Sequence, residues 1–287
     1  MGNNNSIVNV GDLSKPATTL IGRISDAIGV LYEPTRIKRK AKAEAKAEQI
    51  KELANIETQA LKQRTIQRFI KEEEQKQENI ESIIEKVIPL LGEGATPENI
   101  EKDWISNFFD KSKLTSDEEM KKLWANILAG EANKPGTFSK RTINFMESLD
   151  KKDALLFTKL CSFIVNVGFP LPLVFDSGAN IYKKYGINFA ELKYLEGIGL
   201  ISFETYTRYK TTLNFKRIKI QFGNNINLSV IIDFKKELGN DLNLGKVLFT
   251  SIGEELSRIC NPERIEGFQD YVIKEWKKDE NILNIKK

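Results

Sequence analysis

Residues 123–142 read LWANILAGEANKPGTFSKRT, and this stretch decides how the central helices are joined. Its first half is apolar at helical spacing, which predicts a helix with one buried face. Gly130 is expected to end that helix, because glycine is common at helix C-termini. Pro135 and Gly136 predict a turn, and Ser139 is expected to cap the next helix. The stretch therefore predicts a corner between two helices.

Three charged residues of this corner are not needed for the turn itself. Glu131 is expected to pair with Arg141 or Lys140 across the turn and so to fix the angle between the helices. A contact with another subunit is the alternative. A catalytic role is not expected, because the helix, the turn and the cap account for most of the stretch. The name signature turn is used below for six residues of the whole stretch: Trp124, Glu131, Pro135, Gly136, Ser139 and Arg141.

The segments around this corner predict a helical module over residues 100–170. A capping-box pattern at residues 115–119 starts the helix that carries Trp124 in its apolar face. A later helix is expected to begin at Asp150 and to end at Gly168. Short joints between these helices indicate a compact module.

The N-terminal part of the chain predicts an amphipathic helix within residues 1–34. Ser14 can cap it, and Pro34 is expected to end it. Its apolar residues recur every three or four positions, which places them on one stripe. This stripe is expected either to dock on the protein core or to contact a membrane or partner through Leu20, Ile24 and Ile28.

Residues 35–92 predict a long charged helix, because they contain no glycine or proline before Pro89. A narrow apolar stripe with irregular heptads indicates a coiled coil: it comprises Ile50, Leu53, Leu61, Ile66, Phe69 and Ile70. Basic residues lie at the N-terminal end and acidic residues at the C-terminal end, the reverse of what the helix dipole favours. Either a solvated charged face or an anionic partner could account for this charge distribution. An anionic bilayer is the partner expected for Arg36, Lys38, Arg39 and Lys40.

Residues 175–280 predict a winged-helix-like α+β domain. A capped helix, a glycine turn, alternating strands and a final helix follow each other in this segment. Residues 205–232 contain no acidic residue, so a basic hairpin is expected there. This hairpin supports the alternative hypothesis of nucleic-acid binding through Arg208, Lys210, Lys216, Arg217 and Lys219.

Composition excludes several classes of site. The 287 residues include no histidine, so histidine-dependent catalysis is excluded. No metal-ligand spacing or phosphate-binding loop occurs, so no cofactor, metal or small-molecule substrate is expected. The two cysteines, Cys161 and Cys260, are expected to be buried free thiols. A cytoplasmic, non-enzymatic protein without a signal peptide or a membrane-spanning helix is therefore expected.

Two resemblances add to this reading. The stretch from LWANILAGE to DALLF, with LEGIGLI and FTSIGEEL further on, resembles an uncharacterised bacterial domain family over about residues 100–260. The segment KPATTLIGRISDAIGVLYEPTRIKRKAKAEA is similar to the front of abortive-infection alpha-type proteins. The second resemblance implies anti-phage defence. Neither implies catalytic residues.

The sequence thus predicts a mainly α protein with a long N-terminal helix, a central helical module and a winged-helix-like end. Its expected function is non-enzymatic bacterial defence by self-association at the inner membrane face. The homo-oligomer and the anionic membrane surface are the expected partners. Nucleic-acid sensing or regulation through the basic hairpin is the alternative.

Overall fold

The computed structural model describes residues 13–29 and 59–287, apart from Asn224. Contacts divide the chain into two compact units, the first reaching Ser148 and the second running from Leu149 to Lys287. The predicted module of residues 100–170 spans this division. The first unit is helical where it is described, and the second mixes helices with antiparallel sheets.

Helix α1 (Lys15–Ile28) begins as predicted, since the Ser14 side chain accepts a hydrogen bond from the Ala17 amide. It ends at Gly29, whose φ of 66° only glycine adopts readily. The predicted end at Pro34 is therefore wrong. Its apolar stripe is covered within the first unit: Leu20 and Ile24 are both buried.

Helix α2 (Gln59–Val87) confirms the helical part of residues 35–92 that the structure describes. It ends before residue 92, because Pro89 lacks an amide hydrogen and the chain tightens into a 3-10 turn at Ile88–Leu90. Another 3-10 turn follows at Pro97–Asn99. Residues 35–58 lie outside the described part, and with them the predicted basic residues Arg36, Lys38, Arg39 and Lys40.

Three further helices follow in the described part of the first unit: α3 (Lys102–Ser112), α4 (Glu118–Asn133) and α5 (Lys140–Glu147). The C-terminal part of α2 packs against α4, and α3 packs against both α1 and α5. Aromatic rings fill the space between the helices. The Phe108 ring stacks on Trp104 at 5.3 Å between centroids and meets Trp124 edge-on at 5.2 Å.

The second unit opens with α6 (Lys151–Cys161), which begins after Asp150 as predicted and has a capping box formed by Asp150 and Asp153. This helix does not continue to Gly168 as predicted. Residues 164–166 instead form strand β1 (Ile164–Asn166), which pairs with β2 (Pro170–Pro172) and with β5 (Arg217–Phe222). The β-branched residues of this short segment suit a strand once two partners are available.

The rest of the second unit alternates short helices and strands. They are α7 (Asn180–Lys183), α8 (Phe189–Gly197), β3 (Ile201–Phe203), β4 (Tyr209–Leu213), β6 (Asn225–Phe234), β7 (Asn240–Gly245), β8 (Val247–Phe249), α9 (Ser251–Ser257), α10 (Phe268–Trp276) and β9 (Ile282–Lys286). A five-stranded antiparallel sheet has the order β2-β1-β5-β6-β9, and two ribbons pair β3 with β8 and β4 with β7. The protein is therefore a mixed α/β protein rather than a mainly α one.

The strand pairing corrects the predicted basic hairpin. Strands β4 and β5 follow each other in the chain but belong to different sheets, because β4 pairs with β7 and β5 with β6. Alternating hydrophobicity predicted a strand over residues 211–223, which the structure divides between β4 and β5, and it carries no information on strand partners.

Candidate functional site

Glu131 organises the signature turn between α4 and α5. Its side chain is 4% exposed. One carboxylate oxygen accepts a hydrogen bond from the Gly136 amide at 2.6 Å, and the other accepts one from the Phe138 amide at 2.9 Å. Gly136 has a φ of 84°, a left-handed conformation that glycine adopts readily. A buried carboxylate thus holds the turn through charge-assisted hydrogen bonds.

The predicted ion pair between Glu131 and Arg141 or Lys140 is therefore wrong. The backbone amides of the turn take both carboxylate oxygens, whereas Lys140 and Arg141 are exposed. A carboxylate engaged in this way is a poor general base, because deprotonating a substrate would require it to leave two amides unpaired in the core. Ser139 caps α5 as predicted, accepting from the Thr142 amide at 3.3 Å.

Gly130 lies inside α4 and does not end it, which corrects the sequence prediction. A β-carbon at this position would lie 2.7 Å from the Cε2 atom of the Phe138 ring. Glycine is thus required for the close approach of Phe138 rather than for a helix end. The Phe138 carbonyl accepts a hydrogen bond from Trp104 Nε1 at 2.7 Å, and Trp124 is buried in the core of the unit.

The stripe of α1 has a partner within its own chain. Leu20 and Ile24 lie in the core, and Ile28 is half-buried. Helix α1 contacts α3, and the Ser106 hydroxyl donates to the Ala27 carbonyl at 3.3 Å. The docked arrangement that the sequence left open is the one observed, so Leu20 and Ile24 do not face a membrane in this structure.

The predicted nucleic-acid residues are divided between two sheets. Strand β4 contains Lys210, and Arg208 directly precedes it. Strand β5 contains Arg217 and Lys219, and Lys216 directly precedes it. Acidic residues from later in the chain face two of them. Lys216 pairs with Glu237, and Arg217 pairs with Asp233 across the β5–β6 ladder. The Arg217 guanidinium holds the pKa of Asp233 below its usual value.

An exposed apolar surface lies on α2, and the sequence did not assign it to a site. Residues 60–75 of this helix, called here the exposed segment, carry Leu61 and Phe69, which are 63% and 61% exposed. Ile66 and Ile70 are half-buried. The apolar stripe is readable in the sequence, but its exposed and covered parts can be distinguished only when the helices that pack on it are known.

Within the described residues, no group of three or more acidic or cysteine side chains is arranged to hold a metal ion. The same residues include no helix with the length and apolar character needed to cross a membrane.

Comparison with known proteins identifies the family of the chain. The model of a family described as "Protein of unknown function (DUF2806)" matches residues 63–273. The chain belongs to the DUF2806 family. The matched region of this DUF2806 protein begins in the exposed segment and reaches α10, so it includes the signature turn and every strand of the five-stranded sheet except β9. No curated protein and no solved structure matches the chain.

Proposed function

We propose that this DUF2806 protein is a non-enzymatic component of bacterial anti-phage defence that self-associates through the exposed segment of α2 and acts at the inner membrane face. The observation that carries self-association is the apolar stripe of α2. Within the described residues its C-terminal part lies in the core, whereas Leu61 and Phe69 in its N-terminal part are exposed. The defence setting rests on the resemblance of the N-terminal segment to abortive-infection alpha-type proteins.

The exposed and the buried residues of this stripe lie on the same face of α2. Leu61, Ile66 and Phe69 each precede a covered residue by about five helical turns, at about 3.6 residues a turn. Those covered residues are Asn79, Ile84 and Val87, which pack in the core of the first unit. A helix face of this kind continues to bury apolar area if a second helix lies along it. The exposed segment is about 24 Å long, at about 1.5 Å a residue.

Charge on the same face favours a second copy in antiparallel orientation. Lys62 precedes Phe69, and Glu73 follows Ile66, by about two helical turns in each case, so both charged residues lie along the apolar stripe. Antiparallel pairing that brings Lys62 of one copy to Glu73 of the other also brings Ile66 to Phe69, and symmetry repeats both contacts. Within its own helix Glu73 already pairs with Lys76 at 2.6 Å. A contact this short is at the small end of specific interfaces, so a dissociation constant on the order of micromolar is expected.

Sedimentation equilibrium of the full chain tests self-association. Phe69→Glu places a charge in the stripe and should reduce the mass to that of the monomer. Phe215→Glu is the matched control, because Phe215 is 64% exposed and lies in the second unit. This control should keep the wild-type mass. A wild-type monomer at micromolar concentration, or an unchanged mass for Phe69→Glu, would contradict the proposal.

A lower melting temperature for Phe69→Glu at constant mass would also contradict it. That outcome would mean that another segment of the same chain covers the stripe. Residues 30–58 precede α2 directly and carry the basic cluster of residues 36–46, so they are the competing occupant.

The proposed membrane contact is electrostatic. Since Leu20 and Ile24 are buried, the contact would rest on the basic residues Arg36, Lys38, Arg39 and Lys40, each of which gains about 1 kcal/mol at an anionic surface. Flotation with vesicles containing phosphatidylserine tests this part. Replacement of these four residues by Glu should abolish flotation, and Leu20→Ala should not. Equal flotation of the wild type and the variant with all four residues replaced would contradict the proposed membrane contact.

The winged-helix-like, nucleic-acid-binding alternative has less support. Two of its five basic residues are paired with acidic side chains, and the set is divided between β4 and β5. Tyr206, which is 95% exposed near Arg208, is the observation that favours it most. Binding of DNA or RNA at low salt that is weakened by Lys216→Ala, Arg217→Ala and Lys219→Ala would revive this alternative.

A further inference from the structure

The two cysteines of the chain are neighbours in the folded second unit. Cys161 is the last residue of α6, and Cys260 follows α9, about a hundred residues later. The two thiols lie within hydrogen-bonding reach of each other. Thr158, one turn before Cys161 on α6, places its hydroxyl oxygen 3.7 Å from the same sulfur. The fold thus brings together the only two thiols that the chain contains.

The surroundings give the two thiols different reactivity. Burial raises the pKa of Cys161. The pKa of Cys260 is lowered, chiefly because its sulfur accepts a hydrogen bond from the Cys161 thiol. When protonated, the Cys260 thiol donates to the Leu256 carbonyl at 3.5 Å. Cys260 is therefore the more readily deprotonated of the two, and the thiolate is the form that attacks an electrophile.

Access from solvent is also unequal. Cys161 is fully buried, whereas Cys260 is 8% exposed. A surface cavity of about 300 Å³ lies in the same unit, one residue along the chain from each cysteine. Its lining includes Ser162 and Asn261, which are the residues immediately after the two cysteines. A small polar oxidant can enter a cavity of this size, and the greater exposure of Cys260 makes it the more accessible of the two residues.

We propose that Cys161 and Cys260 form a reversible oxidation site that closes to an intramolecular disulfide on exposure to a hydroperoxide. The Cys260 thiolate attacks one peroxide oxygen, the O–O bond breaks, and hydroxide leaves and takes up a proton to become water. The sulfenic acid formed on Cys260 is then attacked by the Cys161 sulfur, and a second water leaves as the S–S bond forms. In balance, two thiols and one hydrogen peroxide give one disulfide and two waters.

The disulfide would tie the end of α6 to the segment after α9. It closes a loop of about a hundred residues, and a loop of that length strongly restricts the unfolded chain. Oxidation is therefore expected to raise the melting temperature of the second unit, and a thiol reductant should reverse the rise. This inference does not depend on self-association or on membrane contact.

Intact-mass spectrometry of the full chain tests the site. Wild-type protein is treated with hydrogen peroxide, unfolded, and exposed to N-ethylmaleimide. The expected product takes up no maleimide, has lost two hydrogens, and gives a proteolytic peptide that links Cys161 to Cys260. Dithiothreitol should then restore two maleimide-reactive thiols. Two maleimides on the peroxide-treated wild type, or a disulfide between two chains, would overturn the proposal.

Single variants test the order of attack. In Cys161→Ser the remaining Cys260 has no resolving thiol, so it should retain a sulfenic acid that dimedone traps. In Cys260→Ser the buried Cys161 should stay unlabelled under the same conditions. Preferential labelling of Cys161 would contradict the assignment of Cys260 as the attacking thiol. The wild-type measurement decides the disulfide itself even if a variant fails to fold.

Discussion

The Glu131 carboxylate is the main polar contact of the signature turn, and its replacement tests that role. Glu131→Gln leaves one of the two backbone amides without its anionic acceptor in a buried site. Loss of a buried, charge-assisted hydrogen bond is expected to lower the free energy of unfolding by about 1–3 kcal/mol. Urea denaturation measures this. Glu93→Gln, at an exposed position of the same unit, should change stability by less than about 0.5 kcal/mol.

Two glycines allow other atoms to pack closely against a helix backbone. The neighbouring atoms differ in how far they can move to make room for a β-carbon. A β-carbon at Gly130 meets the ring of Phe138, whereas one at Gly253 meets the backbone carbonyl of Leu200. Gly130→Ala should therefore cost about 1–3 kcal/mol of unfolding free energy, and Gly253→Ala should cost more. Phe138→Leu should offset part of the Gly130→Ala loss in a double-mutant cycle. Additive effects would contradict the contact.

Some residue roles are predictable from local sequence. The caps at Ser14, Ser139 and Asn188 follow from polar residues just before apolar helices, because a cap bonds to amides two or three residues away. The roles of Gly130 and Glu131 depend on backbone and side chains several residues further on. Their conformation is set by the packed turn, so an interpretation based on helix ends and opposite charges misassigned both.

At the scale of elements, the pairing of β5 with β6 places an acidic residue opposite a basic residue of the predicted nucleic-acid surface. Arg217 lies opposite Asp233 in the ladder and lowers the pKa of that carboxyl. A folded-state pKa below the unfolded value of about 3.9 stabilises the fold above that pH, and the effect is lost as pH falls through the folded pKa. Arg217→Ala should raise the Asp233 pKa in a carbon-detected NMR titration. An unchanged pKa would contradict the pair.

The positions of many elements are predictable, and their partners are not. Apolar periodicity located α1, α4, β5 and β6, because helices and half-buried strands have different repeats. The prediction of a helix over residues 150–168 was wrong at its C-terminal end, because β1 is fixed by pairing with β2 and β5 rather than by its own propensity. Pairing with distant strands likewise places β4 and β5 in different sheets. The exposed segment of α2 likewise depends on where α4 stops covering the stripe.

At the scale of the whole molecule, the division at Ser148 predicts that the second unit folds by itself. Residues 149–287 contain their own core, with Phe163, Tyr182 and Trp276 all buried. A fragment of these residues should unfold cooperatively in urea, as compact domains of this size do. Near-ultraviolet circular dichroism and amide exchange provide the measurements. A fragment without a cooperative transition would contradict the division.

The proposed self-association pairs α2 with the α2 of a second copy in antiparallel orientation. Sedimentation equilibrium of three charge variants tests it most directly. Lys62→Glu and Glu73→Lys should each reduce association, because each places like charges opposite one another twice in the symmetric pair. The combined Lys62→Glu/Glu73→Lys variant should regain association close to that of wild type. A combined variant that remains monomeric, or single variants with the wild-type mass, would contradict the account.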